Sequence, residues 1–517
     1  MTFEIVFVLL SLLGMMAALI ADKMRPGMVL FSVVVLFLCV GILTPKEMLE
    51  GFSNKGMITV ALLFLVSEGI RQSGTLGQVI KKLLPQGKTT VFKAQLRILP
   101  SVAFISAFLN NTPVVVIFAP IIKHWAKSVK LPATKFLIPL SYVTILGGIC
   151  TLIGTSTNLV VHGMILEAGY EGFTMFELGK VGIFIAIAGI IYLFIFSKRL
   201  LPDARPDTAV PDEEVEEGEK LHRVEAVLGA RFPGINKKLS DFNFQRHYGA
   251  EVKEIKTRNG QRYVDHLEDV VLREGDTLVV MADDTFIPTW GESSVFVLLT
   301  NGNDPDTSGK KKRWLALILL VLMIVGATVG ELPATKEMFP DIKLDMFFFV
   351  CITTIIMAWT NIFPARKYTK YISWDILITI ACAFAISKAM VNSGVADCVA
   401  GFIIGLSDDY GPHVLLAILF VITNLFTELI TNNAAAALAF PLALSISAQL
   451  GVSPTPFFVV ICMAASASFS TPIGYQTNLI VQGIGNYKFT DFVKIGLPLN
   501  IITFLISVIL IPMIWKF

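Results

Sequence analysis

The chain has 517 residues, 54% of them apolar and 16% charged, with 38 Phe, a mean hydropathy of +0.70 and a formal net charge of +2. Soluble domains carry about 25% charged residues, so a soluble enzyme is excluded and a polytopic membrane protein, with the lipid bilayer as its solvent, is indicated. Near-zero net charge, with no basic helix interleaved with aromatics, gives no sign of a nucleic-acid partner.

Apolar runs of about 17 or more residues predict spans at residues 3–21, 27–43, 57–72, 136–164 and 178–197, then 314–330, 346–362, 374–390, 457–484 and 492–515. The first run has no basic flank and no cleavage site, and a second follows at once, so it reads as a retained helix rather than a signal peptide. Two further segments, 94–126 and 413–448, are apolar but interrupted by Asn-rich strings. Each is long enough to enter the bilayer, turn and leave on the same side. Taking both as re-entrant hairpins leaves five crossings per half, and an odd number inverts the second half relative to the first. Charge follows that count. With residues 201–312 placed inside, the inside loops gather Lys81, Lys82, Lys123, Lys127, Lys198, Arg199, Arg313, Arg366 and Lys370, while Glu167, Glu171 and Asp408-Asp409 fall outside. The expectation is a multi-pass protein of the cell (inner) membrane with both termini outside and the central segment in the cytoplasm.

The chain thus divides into a first membrane repeat (1–200), a central domain with its linkers (201–312) and a second membrane repeat (313–517). The central segment opens on an acidic, proline-bearing linker, Pro202, Pro206, Pro211, Asp212-Glu213-Glu214 and Glu216-Glu217, expected to be solvated. β-like runs follow at 221–228, 250–257, 277–281 and 295–299, with turn signals at Asn259-Gly260 and Glu274-Gly275-Asp276. The predicted fold is an all-α polytopic membrane protein of two inverted repeats, each with five spans and one re-entrant hairpin, and a small α/β cytoplasmic domain inserted between them.

A tandem motif lies within this frame. Gly154-Thr155-Ser156-Thr157-Asn158-Leu159-Val160-Val161-His162-Gly163 recurs 320 positions later as Gly474-Tyr475-Gln476-Thr477-Asn478-Leu479-Ile480-Val481-Gln482-Gly483, six of ten letters identical. At an offset of 321, Asn110-Asn111-Thr112 with Pro120 recurs as Thr431-Asn432-Asn433 with Pro441. A helix interrupted at bilayer depth leaves N–H groups bare on one half and C=O groups on the other, which is tolerated where they line a cavity or meet a ligand. Carbonyls and Asn or Thr oxygens form a shell suited to Na⁺, and half-helix N-termini present N–H donors to an oxyanion. Packing alone, with interhelical hydrogen bonds of about 0.6–2 kcal/mol, accounts for any single Asn as readily as a site does. It accounts poorly for both strings recurring in both halves.

Glu428, three residues before Thr431, is an acid within an apolar hairpin, and such residues are costly enough to suggest proton coupling or support of a cation. Glu68 and Lys388 sit near span ends, where snorkelling explains them. The six cysteines have no metal or redox spacing and read as small core residues.

On these motifs the chain resembles the divalent anion:sodium symporters, the solute-carrier-13 group of the broader ion-transporter superfamily. That family carries a Ser-Asn-Thr signature at each hairpin tip and a Gly-Thr-Pro-Pro-Asn-like loop in each broken helix, and the likeness covers both membrane halves. The resemblance implies one Na⁺ at Asn110, Asn111 and Gly154 and another at Thr431, Asn432 and Gly474. It implies an anion met by Asn111, Thr112, Thr155, Asn432 and Asn433; Tyr475 joins these as a substrate-site residue of this chain's own, with Ser156, Asn158, Thr477, Asn478 and Glu428 expected in support. It further implies a homodimer and an elevator motion. The central pattern, Gly234 to Phe244, Tyr248-Gly249-Ala250 and Arg273 to Leu278, resembles the TrkA-C type of potassium-conductance regulator, a class that often binds a small-molecule regulator or dimerises.

Tyr475-Gln476 departs from the family's Thr-Pro and puts bulk where a dicarboxylate's second carboxylate would go, which favours a small tetrahedral oxyanion. No arginine stands in the motifs for bidentate carboxylate recognition. Asn433 departs from the family's Thr and leaves the second signature's contribution open. The reading is a Na⁺-coupled symporter of a divalent oxyanion, sulfate first. A dicarboxylate or phosphate symporter, a Na⁺/H⁺ exchanger, and a nutrient-sensing receptor or gated channel stand as alternatives.

Overall fold

Eight helices among the described residues of the computed structural model are long and apolar enough to cross a membrane. The structure describes the chain except residues 1, 22, 86, 204–221, 230, 258–260, 284–285, 287–289, 291–294, 301–309, 340 and 406–410. The acidic linker beyond Asp203, the Asn259-Gly260 turn and Asp408-Asp409 therefore lie outside the described residues.

The first repeat comprises α1 (Phe3–Ala21), α2 (Pro26–Val40), α3 (Lys55–Gln72), the arms α4 (Val91–Ser106) and α5 (Asn111–Ser128), the half-helices α6 (Leu137–Gly148) and α7 (Ser156–Glu167), and α8 (Gly179–Leu200). The second comprises α9 (Lys310–Gly330), α10 (Met346–Trp359), α11 (Trp374–Asn392), the arms α12 (Gly411–Leu429) and α13 (Asn432–Leu450), the half-helices α14 (Thr455–Ser466) and α15 (Gln476–Gly485), and α16 (Phe489–Ile514). The 16 residues of α4 rise about 24 Å, short of the roughly 30 Å hydrocarbon layer, whereas α12 and α13, with 19 residues each, are among the eight helices long enough to cross; in both halves the chain turns back at the Asn string. Helices α6 and α7 have 12 residues each, α14 has 12 and α15 has 10. Only each pair together, with its break at 149–155 or 467–475, completes a crossing. The breaks sit slightly N-terminal to the core of the recurring motif, because residues 156–158 and 476–478 already form the first turns of α7 and α15.

Helix α2 packs on α11, α3 on α10, and α8 along α16. Since α2 and α10 occupy matching places in the two repeats, as do α3 and α11, the halves clasp each other reciprocally around one continuous core. The expectation that the cysteines are core residues needs correction: Cys39 is exposed, and only Cys382 and Cys462 are fully buried. Glu68, near the end of α3, pairs with Arg71 at 2.6 Å.

The inserted domain is an antiparallel sheet in the order β3-β2-β4-β1-β5, built from β1 (His222–Leu228), β2 (Glu251–Lys256), β3 (Arg262–Tyr263), β4 (Thr277–Ala282) and β5 (Phe296–Thr300). Side chains alternate across a strand. Val224, Ala226 and Leu228 enter a core with Phe232, Phe242, Phe244 and Tyr248, whereas Val227 belongs to the core of the membrane helices.

Candidate functional site

Four helix N-termini converge where the repeats meet. Their cap residues are Asn110 for α5, Thr155 for α7, Thr431 for α13 and Tyr475 for α15, and no cap side chain bonds to its own helix. The first N–H groups of each helix are left without intrahelical partners, and each end carries about half a positive charge. The convergence crosses the repeats both ways. Thr112 Oγ1 lies 3.3 Å from Gln476 Oε1, and Ser156 Oγ and Thr157 Oγ1 donate to Asn433 Oδ1 at 3.3 and 3.1 Å. The buried Tyr475 hydroxyl stands between them, 2.9 Å from the Asn111 amide and 3.1 Å from Thr155 Oγ1.

Beside this centre each repeat gathers oxygens. One end of the Asn111 amide faces Ser106 Oγ at 2.8 Å, Thr144 O at 2.9 Å and Gly154 O at 3.3 Å, and the other end faces Tyr475. With nitrogen inward, the amide donates to those three oxygens and accepts from the tyrosine. With oxygen inward, four oxygens face one another with only the Ser106 hydroxyl able to donate, an arrangement a hard cation satisfies. The second repeat repeats the chemistry: Thr427 Oγ1 lies 2.9 Å from Asn432 Oδ1 and 2.6 Å from Ala465 O. The Thr431 hydroxyl is buried and finds no hydrogen-bond partner among the described residues. Gly154 and Gly474 lie against these clusters, their amides facing Thr151 Oγ1 and Thr471 Oγ1.

The supporting residues hold the breaks open. Asn158 Nδ2 donates to Thr151 O at 2.9 Å, and Asn478 Nδ2 to Ser468 O at 2.9 Å and Thr471 O at 3.2 Å, spanning each broken segment. Ser141 Oγ lies 2.9 Å from Thr477 Oγ1 and 2.7 Å from Asn478 Oδ1, while Asn158 Oδ1 has no such partner among the described residues. Cys462 stands at the position matching Ser141. The Glu428 carboxylate, 9% exposed, accepts from Ser470 N–H at 2.8 Å and Asn500 Nδ2 at 2.7 Å. Its counterpart in the first repeat is Ala107.

The structure therefore brings Asn111, Thr112, Gly154, Thr155, Asn432, Asn433, Gly474 and Tyr475 together, and leaves Asn110 to one side. Asn110 is half-buried beside a small cavity that it lines with Ser67, Phe108 and Ser156. Ser106, Thr427 and the carbonyls of Thr144 and Ala465 were missing from the sequence reading. The signal was there, since Ser106 and Thr427 each stand five residues before the key Asn in both halves.

A family model described as citrate transporter matches residues 16–445 and 339–517. An uncharacterised transporter of Synechocystis is 29% identical over 93% of this chain and 92% of its own length. A putative sulfur deprivation response regulator of Chlamydomonas reinhardtii is 28% identical over 93% of this chain and 96% of its length. A probable sodium/sulfate cotransporter of the same alga is 32% identical over 54% of this chain and 31% of its own length.

Proposed function

The chain belongs to the citrate transporter family, and from that premise we propose that it is a secondary active symporter driving a divalent oxyanion, sulfate first, across the cell membrane with Na⁺. The observation that carries the reading is the meeting of four helix N-termini with no side-chain caps at Asn110, Thr155, Thr431 and Tyr475, flanked by two oxygen clusters. The amide donors and dipoles favour a doubly charged guest. Na⁺ is taken by Asn110, Asn111, Gly154 and Ser106 on one side and by Thr431, Asn432, Gly474 and Thr427 on the other. Each cation neutralises charge beside the anion, so the ions bind together and leave together. Thr112, Thr155 and Asn433 complete the anion's surroundings. The name of the sodium/sulfate relative supports both ions. Alternation proceeds as an elevator movement of the hairpins and broken helices against the remaining spans, in a homodimer whose inserted domain lies in the cytoplasm.

Sulfate uptake into proteoliposomes tests the reading. Accumulation is expected to follow an imposed inward Na⁺ gradient, and accumulation indifferent to that gradient would contradict it. A thermal-shift screen gives an independent measure, since oxyanion and Na⁺ are each expected to raise the melting temperature more in the other's presence.

Tyr475 sets the size of the guest. Its ring, oriented by the hydroxyl's bonds with Asn111 and Thr155, fills space a longer dianion requires. Tyr475→Ser is expected to let succinate compete with sulfate uptake, and Tyr475→Phe to keep succinate out. Equal exclusion of succinate by both variants would remove Tyr475 from selectivity.

A further inference from the structure

The inserted domain is seated on two helices of the candidate site. On β1, whose alternate residues fill the domain's own core, Glu225 and Val227 turn outward to the membrane helices. Both Glu225 carboxylate oxygens receive Lys123 of α5, at 3.1 and 3.0 Å, and Lys256 of the same sheet adds a third contact at 3.3 Å. Gly275, at φ +85°, lets the turn before β4 lie against α15, where a Cβ would stand 2.5 Å from Leu479 Cδ2. One turn further along α15, a Cβ on Gly483 would stand 2.6 Å from Thr277 Oγ1. The domain therefore grips α5 and α15, whose first turns carry Asn111, Thr112 and Gln476.

Burial alone would push the Glu225 carboxyl up, but Lys123 and Lys256 outweigh it and hold it at about 2 against an ordinary 4.5. A depressed carboxyl contributes stability that is present above the ordinary value and fades only as pH falls toward about 2. This grip is a standing attachment across the physiological range.

Elsewhere the domain reaches different helices through hydrogen bonds to backbone carbonyls. Arg231 Nη2 donates to Ile372 O, two residues before α11, at 3.2 Å, and the exposed Asn236 Nδ2 donates to Lys23 O, three residues before α2, at 3.2 Å. Helices α2 and α11 pack on each other, so both contacts land on one clasped pair.

We propose that the inserted domain travels with α5 and α15 as one rigid body, and that its contacts with the starts of α2 and α11 act as a brake on that travel. The inference rests on the transport reading above. Its test uses the full chain in proteoliposomes. Gly483→Cys with Thr277→Cys places the two Cβ atoms 3.9 Å apart, within the roughly 3.5–4.5 Å span of a disulfide. Oxidising this pair is expected to leave Na⁺-driven sulfate uptake unchanged. Uptake that stops on oxidation and returns with dithiothreitol would overturn the rigid body, because the domain would then have to let go. Arg231→Ala, which leaves the grip on α5 and α15 intact, is expected to raise the initial uptake rate several-fold at unchanged half-saturation for sulfate. A rate equal to or below wild type at equal protein would overturn the brake. Wild-type vesicles run in parallel separate the two levels, since absence of Na⁺-driven uptake there would strike the transport reading alone.

Discussion

Gly474→Ala is expected to abolish uptake while the protein still folds and inserts. A Cβ at this position would overlap Thr427 O and Ser468 Oγ. Thr427 also supplies the hydroxyl that meets Asn432 Oδ1 and Ala465 O, so any relief of the overlap displaces the second oxygen cluster. Forcing a methyl into such packing costs about 1–3 kcal/mol, small against a core running through both repeats. At a site built from a few oxygens, the upper end of that range corresponds to about a hundredfold in affinity. Gly154→Ala is expected to behave the same way, since its Cβ would come within 2.5 Å of Gly148 O and 3.0 Å of Ala107 O. The measurement is sulfate uptake set beside a gel-filtration profile. A monodisperse Gly474→Ala protein with wild-type uptake would remove Gly474 from the mechanism.

Asn111→Ala and Asn432→Ala are each expected to raise the Na⁺ concentration for half-maximal uptake at least about tenfold, a loss of about 1.4 kcal/mol or more. Asn111 is 1% exposed and Asn432 8%, so neither vacated place refills freely from bulk water. Truncating Asn111 strips the first cluster of its side-chain amide and also releases the Tyr475 hydroxyl from one partner. Truncating Asn432 leaves the Thr427 hydroxyl its bond to Ala465 O and removes the side-chain oxygen it faces. Wild-type Na⁺ dependence in both variants at equal protein levels would count against the cation assignment.

The membrane frame was legible because hydropathy acts over whole spans: α1, α3, α8 and α11 fall close to where their apolar runs predict. The hairpins and broken helices were legible from Asn111, Asn432, Gly154 and Gly474, whose recurrence at offsets of 321 and 320 no packing rule requires. Short helices escaped. Thr75–Leu83 and Val395–Gly405 follow turns at Gly74 and Gly394, both at positive φ, and are too short to show as apolar runs. The strand β3, with two residues, carries no alternation at all. Within the site, the carbonyls of Thr144 and Ala465 were hidden for a different reason, because a backbone oxygen leaves no letter in the sequence. Tyr475 was legible as bulk, but its bonds to Asn111 and Thr155 arise from the far repeat and depend on how the halves dock.

The exchange of contacts between hairpin tip and opposite break, Thr112 with Gln476 and Asn433 with Ser156 and Thr157, is what two identical half-length chains would make on meeting across a two-fold axis. Two such copies, set in opposite orientations, would form the same arrangement at their seam. Carried on one chain, the halves are always present one to one, and each position is free to differ from its counterpart. Glu428 opposite Ala107, and Ser141 opposite Cys462, are positions where the halves do differ.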